Sequence, residues 1–271
     1  MDQIKHILKY FATPDSPIHQ LAEKPGQSQV IRASGNIVGI LGWWQNDFHP
    51  EALYFAVALS PLPTNKTCAE ISVMMNQVAQ QHNKSLMVLR EALPQSPFTH
   101  WAAAHGFRAF RQTVRPLLTL NGLSTTPVTA LSFNQLTDQQ KDDLVQLSYA
   151  QYQAVHIDNP VCAFEPESWR RVAFADLILD APIITIENGQ IEAYCLVYED
   201  TADTVEWGWL NGHKLNQLLK LQREQISWLA PRYQYVRGEF DSTDTLADHS
   251  RLYWPFAPAV VEQTYSAPVG R

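Results

Sequence analysis

Residues 29–44, QVIRASGNIVGILGWW, contain two β-rich runs on either side of Ser34-Gly35-Asn36. This composition is typical of the tight turn that joins two antiparallel strands. A third apolar run, LYFAVAL at residues 53–59, follows and is stopped by the two prolines of residues 60–63. The pattern predicts a hairpin and a third strand in direct succession.

The rest of the first half alternates helix and strand. Ile71, Met74, Met75 and Val78 recur at helical spacing, which predicts an amphipathic helix with one apolar face. The elements predicted after the third strand are a helix at 68–82, a strand at 86–89, a helix at 96–105 and a strand pair around 107–120.

The same order returns in the second half. Residues 186–191, IENGQI, form another hairpin turn, and TVEWGWL at 204–210 repeats the third strand. The helix repeats at 215–229, followed by a strand at 233–239 and a helix at 245–253. A repeat of about 150 residues is far longer than a solenoid unit, so it predicts two copies of one domain.

Residues 121–132, NGLSTTPVTALS, are small and polar, as in a linker between compact units. We therefore predict an N-terminal domain at 1–122, a linker at 123–132 and a C-terminal domain at 133–271. The second domain is predicted to open with helices at 138–154 and 167–179, whereas the first has only a short N-terminal segment before its hairpin.

This order of elements resembles that of the GNAT acyltransferase superfamily, twice in tandem. Two segments carry the resemblance most specifically, HWAAAHGF at 100–107 and DTLADHSRLYWPF at 244–256. In the second, Asp244, Ala247 and Pro255 stand where the family has Asn, Ala and Gly. The resemblance implies an α/β fold with a mixed sheet, built as two tandem GNAT-like acyl-CoA N-acyltransferase domains.

The family's cofactor is acetyl-CoA or another acyl-CoA, whose pyrophosphate lies at the start of the helix that follows the third strand. Unpaired N–H groups and the helix dipole favour an anion there. By this resemblance the candidate cofactor-binding residues are Leu59, Thr64, Asn65, Lys66, Thr67 and Ala69 in the first half, and Leu210, Asn211 and Gly212 in the second. The family's loop glycines are absent from the first set.

Catalysis in this family uses a base, often a third-strand Glu, and a Tyr that protonates the leaving thiolate. Glu206, flanked by Trp207 and Trp209, is the matching carboxylate in the third strand, and burial beside these indoles would raise its pKa. The alternative is that Glu206 lies on the solvent face of its strand. Tyr253, two residues beyond the position of the family's tyrosine, is the candidate proton donor. In the first half, Tyr54 stands at the place of Glu206, so that copy lacks a base.

The function expected from this resemblance is N-acylation of a small amine by an acyl-CoA, with the helices between 138 and 179 beside the acceptor. The alternative is a catalytically decayed pair of domains that binds a ligand or a protein. Trp43, Trp44, Trp207 and Trp209 suit either core packing or an apolar acceptor pocket. Acceptor, acyl length and oligomeric state stay open.

Composition excludes several other classes. The formal net charge of −7 disfavours nucleic acid and anionic membranes. The longest apolar stretch, 37–44, is too short to span a bilayer, and the first residues contain no secretory signal, so a cytoplasmic protein is expected. Cys68, Cys162 and Cys195 are widely scattered, which predicts no metal site and no disulfide framework. Nucleophile-elbow, P-loop and zinc-helix motifs are absent from the sequence.

Overall fold

The computed structural model describes residues 2–12, 16–24 and 26–270, which form two compact units. The first unit comprises Met1–Gln112, Ile157–Cys162 and Val261–Arg271, and the second comprises Thr113–His156 and Ala163–Val260. Residues 113–122, which we placed with the first half, thus lie in the second unit. The C-terminal residues 261–271, placed with the second half, lie in the first unit.

The first unit consists of a mixed sheet with helices on its faces. Its strands follow the order β1-β2-β3-β4-β13-β5, with β3 and β4 parallel and β4 and β13 antiparallel. The elements are α1 (Asp2–Phe11), α2 (Ile18–Leu21), β1 (Ser28–Ala33), β2 (Asn36–Gln45), β3 (Ala52–Leu59), α3 (Asn65–Gln81), β4 (Leu86–Ala92), α4 (Pro97–Ala104), β5 (Arg108–Val114) and β13 (Val261–Pro268).

The second unit contains a six-stranded sheet in the order β6-β11-β10-β9-β8-β7, in which only the β10–β11 pair is parallel among the described strands. Its elements are β6 (Leu117–Thr119), β7 (Leu131–Ser132), a 3₁₀ turn (Phe133–Gln135), α5 (Asp138–Val155), α6 (Pro166–Ala173), β8 (Pro182–Glu187), β9 (Gln190–Glu199), β10 (Thr204–Gly212), α7 (Leu215–Leu229), β11 (Tyr235–Gly238), β12 (Phe240–Asp241) and α8 (Thr245–Arg251).

Both predicted hairpins are confirmed, and their turns share one geometry. Ser34 and Gly35 have φ of 50° and 82°, and Asn188 and Gly189 have φ of 51° and 78°. Two successive positive φ values define the turn whose twist matches that of the flanking strands. The turn residues therefore set the register of β1 on β2 and of β8 on β9.

Two helix predictions need correction. The helix predicted at 167–179 ends at Ala173, because Asp176 adopts a positive φ of 57° and Leu177 forms a bridge to Tyr198 of β9. The segment before the first hairpin contains two helices, α1 and α2, rather than a short lead-in. Ile7 and Ile18 of these helices are buried against β2 and β3, which explains why helices form there.

The two exchanged strands are integral to the sheets they join. Strand β13 pairs with β4 at seven positions, from Glu262↔Ala92 to Pro268↔Leu86, and its Tyr265 is buried in the core of the first unit. Strand β6 takes the corresponding place beside β11 in the second unit. Each sheet is therefore completed by a strand from outside its own half of the sequence.

Part of the predicted linker is bound to α7. The buried carboxylate of Glu224 accepts hydrogen bonds from the backbone N–H groups of Thr129 and Ala130, both at 2.6 Å, and from the Thr129 hydroxyl. The N–H of Thr126 donates to Ser227 Oγ at 2.7 Å. These bonds anchor residues 126–130 within the second unit.

Candidate functional site

The parallel strands of the second unit separate partway along their length. β10 pairs with β11 at four positions, Thr204↔Tyr235 through Trp207↔Gly238. β10 then continues to Gly212, and among the described strands none pairs with residues 208–212 on that side. We call the space beyond Trp207 and Gly238 the β10–β11 gap. Backbone groups of β10 along the gap are available to a ligand.

A bulge in β10 determines which side chains face α5 and α6. The register against β9 shifts between Trp207 and Leu210. Glu206 lies opposite Tyr198, and the rings of Tyr198 and Trp209 are 6.3 Å apart in an edge-to-face contact. Strict alternation would turn residues 206 and 209 to opposite faces, so the bulge brings Trp209 to the face of Glu206.

Gly208 lies within this bulge, where a side chain would not fit. A Cβ at this position would lie 2.2 Å from the Tyr198 ring, so the ring packs directly on the strand backbone. The Tyr198 hydroxyl donates to the carbonyl of Ala173 at 2.7 Å, which fixes the ring. Trp209 also stacks on the fully buried Trp169, with centroids 4.7 Å apart.

Glu206 is half-buried. Its exposure is intermediate between the two alternatives considered from the sequence, a carboxylate buried beside indole and a carboxylate on the solvent face of the strand. Burial raises the pKa of its carboxyl, and the negative charges of Glu239 and Asp200 raise that pKa further, while Arg115 and Arg237 oppose the shift. A carboxylate with a raised pKa is a stronger base near neutral pH. The position therefore suits proton abstraction from an amine.

The charges around Glu206 form two ion pairs. Arg237 Nε contacts Asp200 Oδ2 at 2.9 Å, and Arg115 binds both carboxylate oxygens of Glu239, at 2.8 and 3.1 Å. With Glu206 ionised, the five side chains carry three negative and two positive charges. This surplus of negative charge favours a cationic ligand such as an ammonium group.

A polar network lies where β10 approaches α5 and the start of α8. Asn211 Nδ2 donates to Gln151 Oε1 at 2.7 Å, and Gln151 Nε2 donates to Asp244 Oδ2 at 3.0 Å. Asp244 caps α8 by accepting the N–H of Ala247, and burial raises the pKa of its carboxyl. The network joins β10, α5 and α8 around the β10–β11 gap.

Tyr194 adds an unsatisfied hydroxyl to this network. It lies opposite Asn211 on β9 and is 3% exposed, and its hydroxyl has no hydrogen-bond partner among residues 26–270. Burial raises the pKa of the phenol, with a further rise from the charge of Asp244. Sequence reasoning missed Tyr194 and Gln151, because neither stands at a motif position; the register of β9 on β10 identifies Tyr194.

The start of α7 lies directly beyond the network. Lys214 precedes the helix, and within the described chain its side chain makes no capping bond. The carboxylate of Glu192 is held at this point by Gln217 Nε2 and by His213 Nδ1, the latter at 3.4 Å. Leu210 is buried in the core, Asn211 and Gly212 are half-buried, and the Asn211 side chain accepts the Gly212 N–H.

The first unit has an equivalent opening between β3 and β4. These strands pair at four positions, Ala52↔Leu86 through Phe55↔Leu89, and then diverge. Leu59, at the end of β3, packs on the core. At the start of α3, Thr64 Oγ1 accepts the Thr67 N–H at 3.1 Å, and Thr67 is buried.

The other three candidates of this loop are exposed: Asn65, Lys66 and Ala69. Lys66 forms a 4.0 Å ion pair with Glu70 one turn along α3. The six first-half candidates thus surround the start of one helix, which a side chain already caps. The three second-half candidates lie at the end of β10, beside the Asn211 network.

Tyr253 lies after α8 and is 55% exposed. Its hydroxyl accepts a hydrogen bond from Arg223, whose guanidinium also lies 5.0 Å from the ring centroid. In the part of the chain that the structure describes, Tyr253 and Glu206 form no hydrogen bond with each other. The two predicted catalytic residues are therefore not joined directly.

Three further observations concern the core, metal ligands and membrane spans. Trp207 is fully buried and packs on Trp254 and Phe256, as expected of a core residue. Across residues 2–12, 16–24 and 26–270, no group of three His, Cys, Asp or Glu side chains is arranged to hold a metal ion. Within the same residues, no helix has the length and apolar character needed to cross a membrane.

Comparison with known proteins identifies the fold. No protein-family model matches the sequence, and no curated protein is significantly similar to it. The fold is similar to that of a GCN5-related N-acetyltransferase from Sphaerobacter thermophilus, with 12% identity, a TM-score of 0.57, and coverage of 95% of this chain and 87% of the other.

Two further solved structures are similar over almost the whole chain. A functionally unknown conserved protein from Staphylococcus epidermidis has 10% identity and a TM-score of 0.55, covering 91% of this chain and 96% of its own. A GCN5-related N-acetyltransferase from Anabaena variabilis has 14% identity and a TM-score of 0.50, covering 99% and 70%. The chain therefore has the fold of the GCN5-related N-acetyltransferases.

Proposed function

We propose that this protein is an acyl-CoA-dependent N-acyltransferase that acts on a small amine, with acetyl-CoA as the first candidate donor and the second unit as the reactive one. The observation that carries the proposal is the place of Glu206. It is half-buried, and burial is the main cause of its raised pKa. It is also one of the last two residues of β10 that pair with β11 before the gap opens.

Three features of the second unit fit an acyl-CoA. The open edge of β10 offers backbone groups to a pantetheine arm, and the unpartnered Tyr194 hydroxyl within residues 26–270 can bind one of its amides. The first N–H groups of α7 point toward its N-terminus, where a phosphate is stabilised. Leu210, Asn211 and Gly212 would line the pantetheine arm. The loop of the first unit, Leu59 with Thr64–Thr67 and Ala69, is a second place for the cofactor.

A bound acyl-CoA supplies a thioester carbonyl that an unprotonated amine attacks. Glu206 accepts the proton of the incoming ammonium group, and its raised pKa matches this task near neutral pH. The negative surplus around it favours the cationic form of the acceptor. Tyr253 is the sequence-based proposal for the proton donor to the thiolate. Its hydroxyl accepts a hydrogen bond from Arg223 and keeps its own proton for donation.

A second candidate is a protein that binds a ligand without catalysis. Glu192 favours it, because a carboxylate held by Gln217 and His213 repels a phosphate at the start of α7. The first unit, with Tyr54 in place of a carboxylate, also lacks the proposed base.

The two candidates are separated by binding and turnover measured on the same preparation. Titration with acetyl-CoA in a thermal unfolding experiment should stabilise the protein by about 2.7 kcal/mol at 100 times the dissociation constant. A panel of small amines should then show release of free thiol at a rate that saturates with amine. Absence of both stabilisation and thiol release refutes the acyltransferase proposal, whereas stabilisation without thiol release for any amine supports the binding protein.

A further inference from the structure

The helices α5 and α6 lie on one face of the strand β10. Trp209, which the bulge brings to the face of Glu206, stacks on Trp169 of α6. It also contacts Tyr152 of α5 edge to face, with ring centroids 6.0 Å apart. Gln151 is the neighbour of Tyr152 in α5, so the Gln151 side chain extends from this layer of helices.

The helices α7 and α8 lie on the opposite face of the sheet. Trp207 points away from the side of Glu206, because successive residues of a strand alternate between the two faces. It packs on Trp254, whose indole N–H donates to Gln222 of α7 at 2.8 Å. Gln222 Nε2 also donates to Ser250 of α8 at 3.2 Å. The sheet therefore separates α5 and α6 from α7 and α8.

One side chain joins the two layers. The carboxamide of Gln151 accepts a hydrogen bond from Asn211 Nδ2 at 2.7 Å and donates to Asp244 Oδ2, at the cap of α8, at 3.0 Å. At Asn211 one edge of β10 is covered by Tyr194 of β9, so a contact from α5 to α8 passes on the other edge, through the β10–β11 gap. We call Gln151 with its two partners the Gln151 bridge.

The Gln151 bridge crosses the route of the cofactor. In the proposed function, on which this inference rests, the phosphates lie at the start of α7 and the thioester reaches Glu206. The pantetheine arm between them follows β10 from Gly212 towards Trp207, and Asn211 lies on this route. The arm and the Gln151 bridge therefore compete for the same position.

The chemistry of the Gln151 bridge matches that of the arm. The carboxamide of Gln151 gives Asn211 a carbonyl acceptor and Asp244 an N–H donor, and each amide of pantetheine carries the same two groups. A ligand amide can replace it and leave both partners hydrogen-bonded. Tyr194, opposite Asn211, is 3% exposed, and its hydroxyl has no partner among residues 26–270. An unsatisfied buried hydroxyl is costly, which marks this point as one that a polar ligand group completes.

We propose that Gln151 is an internal placeholder for an amide of the pantetheine arm. In the empty protein the Gln151 bridge closes the β10–β11 gap. On binding, a ligand amide takes the place of Gln151 on Asn211 and Asp244, and the Gln151 side chain turns out to solvent, to which this half-buried residue already has access. The bridge is thus an autoinhibitory contact that opposes entry of the arm.

The test compares two probes by titration calorimetry on the full chain: coenzyme A, and adenosine 3′,5′-bisphosphate, a fragment of it without the pantetheine arm. Gln151→Ala removes the bridge and should tighten binding of coenzyme A by about tenfold, as the release of one hydrogen bond predicts. The affinity for the fragment, which does not reach the gap, should stay the same. Gln151→Met preserves the length of the side chain and loses both bonds, so it should change the two affinities in the same way.

The matched control is Gln146→Ala, at an exposed position of the same helix, which should bind both probes like the wild type. Circular dichroism checks the folding of each variant, and Gln151→Met decides if the alanine variant unfolds. Equal or weaker binding of coenzyme A in the Gln151 variants, with binding in the wild type, overturns the placeholder and leaves the proposed function intact. Equal tightening for both probes also overturns the placeholder, because the effect then arises outside the gap. If neither the wild type nor the variants bind coenzyme A, the proposed function fails and the placeholder fails with it.

Discussion

Glu206 and Tyr54 occupy the same position in their two sheets. Each is the third of four residues that pair in parallel with the neighbouring strand before the strands separate. The register thus aligns the two halves independently of any sequence motif. The same position holds a half-buried carboxylate in one unit and a buried phenol hydrogen-bonded to Asn159 in the other.

This difference divides the proposed roles of the two units. A carboxylate whose pKa is raised can accept a proton near neutral pH, whereas burial moves the pKa of the Tyr54 phenol further above that range. The bulge that follows Glu206 has no counterpart in the described pairing of β3 with β2, which is continuous from Gly39↔Leu59 to Gln45↔Leu53. Both differences favour acyl transfer in the second unit.

Glu206→Gln tests the proposed base. The amide preserves the shape of the side chain and cannot accept a proton, so acetyl transfer should fall by about 10²- to 10⁴-fold. In the wild type, activity should increase as the pH rises through the pKa of Glu206, which lies above that of an ordinary glutamate. Steady-state kinetics between pH 5 and pH 9 should show this limb in the wild type and not in Glu206→Gln.

The matched control is Glu187→Gln, which removes the same charge at an exposed position of the β8–β9 hairpin. It should leave the rate and its pH profile unchanged. If Glu206→Gln retains the wild-type profile, another group accepts the proton and Glu206 has no place in the reaction.

Glu192→Gln tests whether this carboxylate opposes cofactor binding. Removing a negative charge at the start of α7 should tighten binding of acetyl-CoA by about threefold to tenfold at low salt, because the repulsion of the phosphates is relieved. Screening should reduce the gain as salt is added. Calorimetric titration measures both effects, and equal affinities of the variant and the wild type at low salt would place the phosphates elsewhere.

Local pattern was sufficient to predict most elements of this fold. The two Gly-containing turns and the amphipathic helix at 215–229 are encoded within short windows, and the structure has them where the spacing predicts. The helices α1 and α2 were missed, since their stability comes from burying Ile7 and Ile18 on strands that follow later in the chain.

The exchanged strands could not be predicted from local pattern at all. Nothing in residues 261–268 specifies which of two similar sheets they join, because both sheets offer an edge beside a parallel strand. The residues of the candidate site also differ in whether local sequence predicts them. Glu206 follows from the repeat, whereas Tyr194 and Gln151 depend on how β9 and α5 pack on β10.

His49 should make the stability of the first unit depend on pH. Burial lowers the pKa of its imidazole from 6.5, opposed by the carbonyls of Pro160 and Asn159 and assisted by Arg111. A lowered pKa means that the unfolded chain binds the proton more readily than the folded one. Stability is therefore complete above about pH 6.5 and falls as the pH decreases below that value.

His49→Asn should reduce this dependence, because its amide can replace the Nδ1–H donor and does not titrate. Urea unfolding at pH 7.5 and pH 5.5 measures the loss of stability in each protein. The control is His100→Asn, at an exposed position of α4. Between pH 7.5 and pH 5.5, its free energy of unfolding should fall by as much as that of the wild type. A loss in His49→Asn as large as that of the wild type would assign the pH effect to other groups.

Removal of residues 261–271 should unfold the first unit and spare the second. The shortened chain loses seven pairs with β4 and the buried side chain of Tyr265, so β4 is left as an uncovered edge beside an open core. All residues of the second unit precede Val261, and its amide protons should keep their protection in hydrogen exchange. Adding a synthetic peptide of residues 261–271 should restore protection in β3 and β4, while a scrambled peptide of the same composition should not. Full protection of β4 in the shortened chain without peptide would show that β13 contributes little to the fold of the first unit.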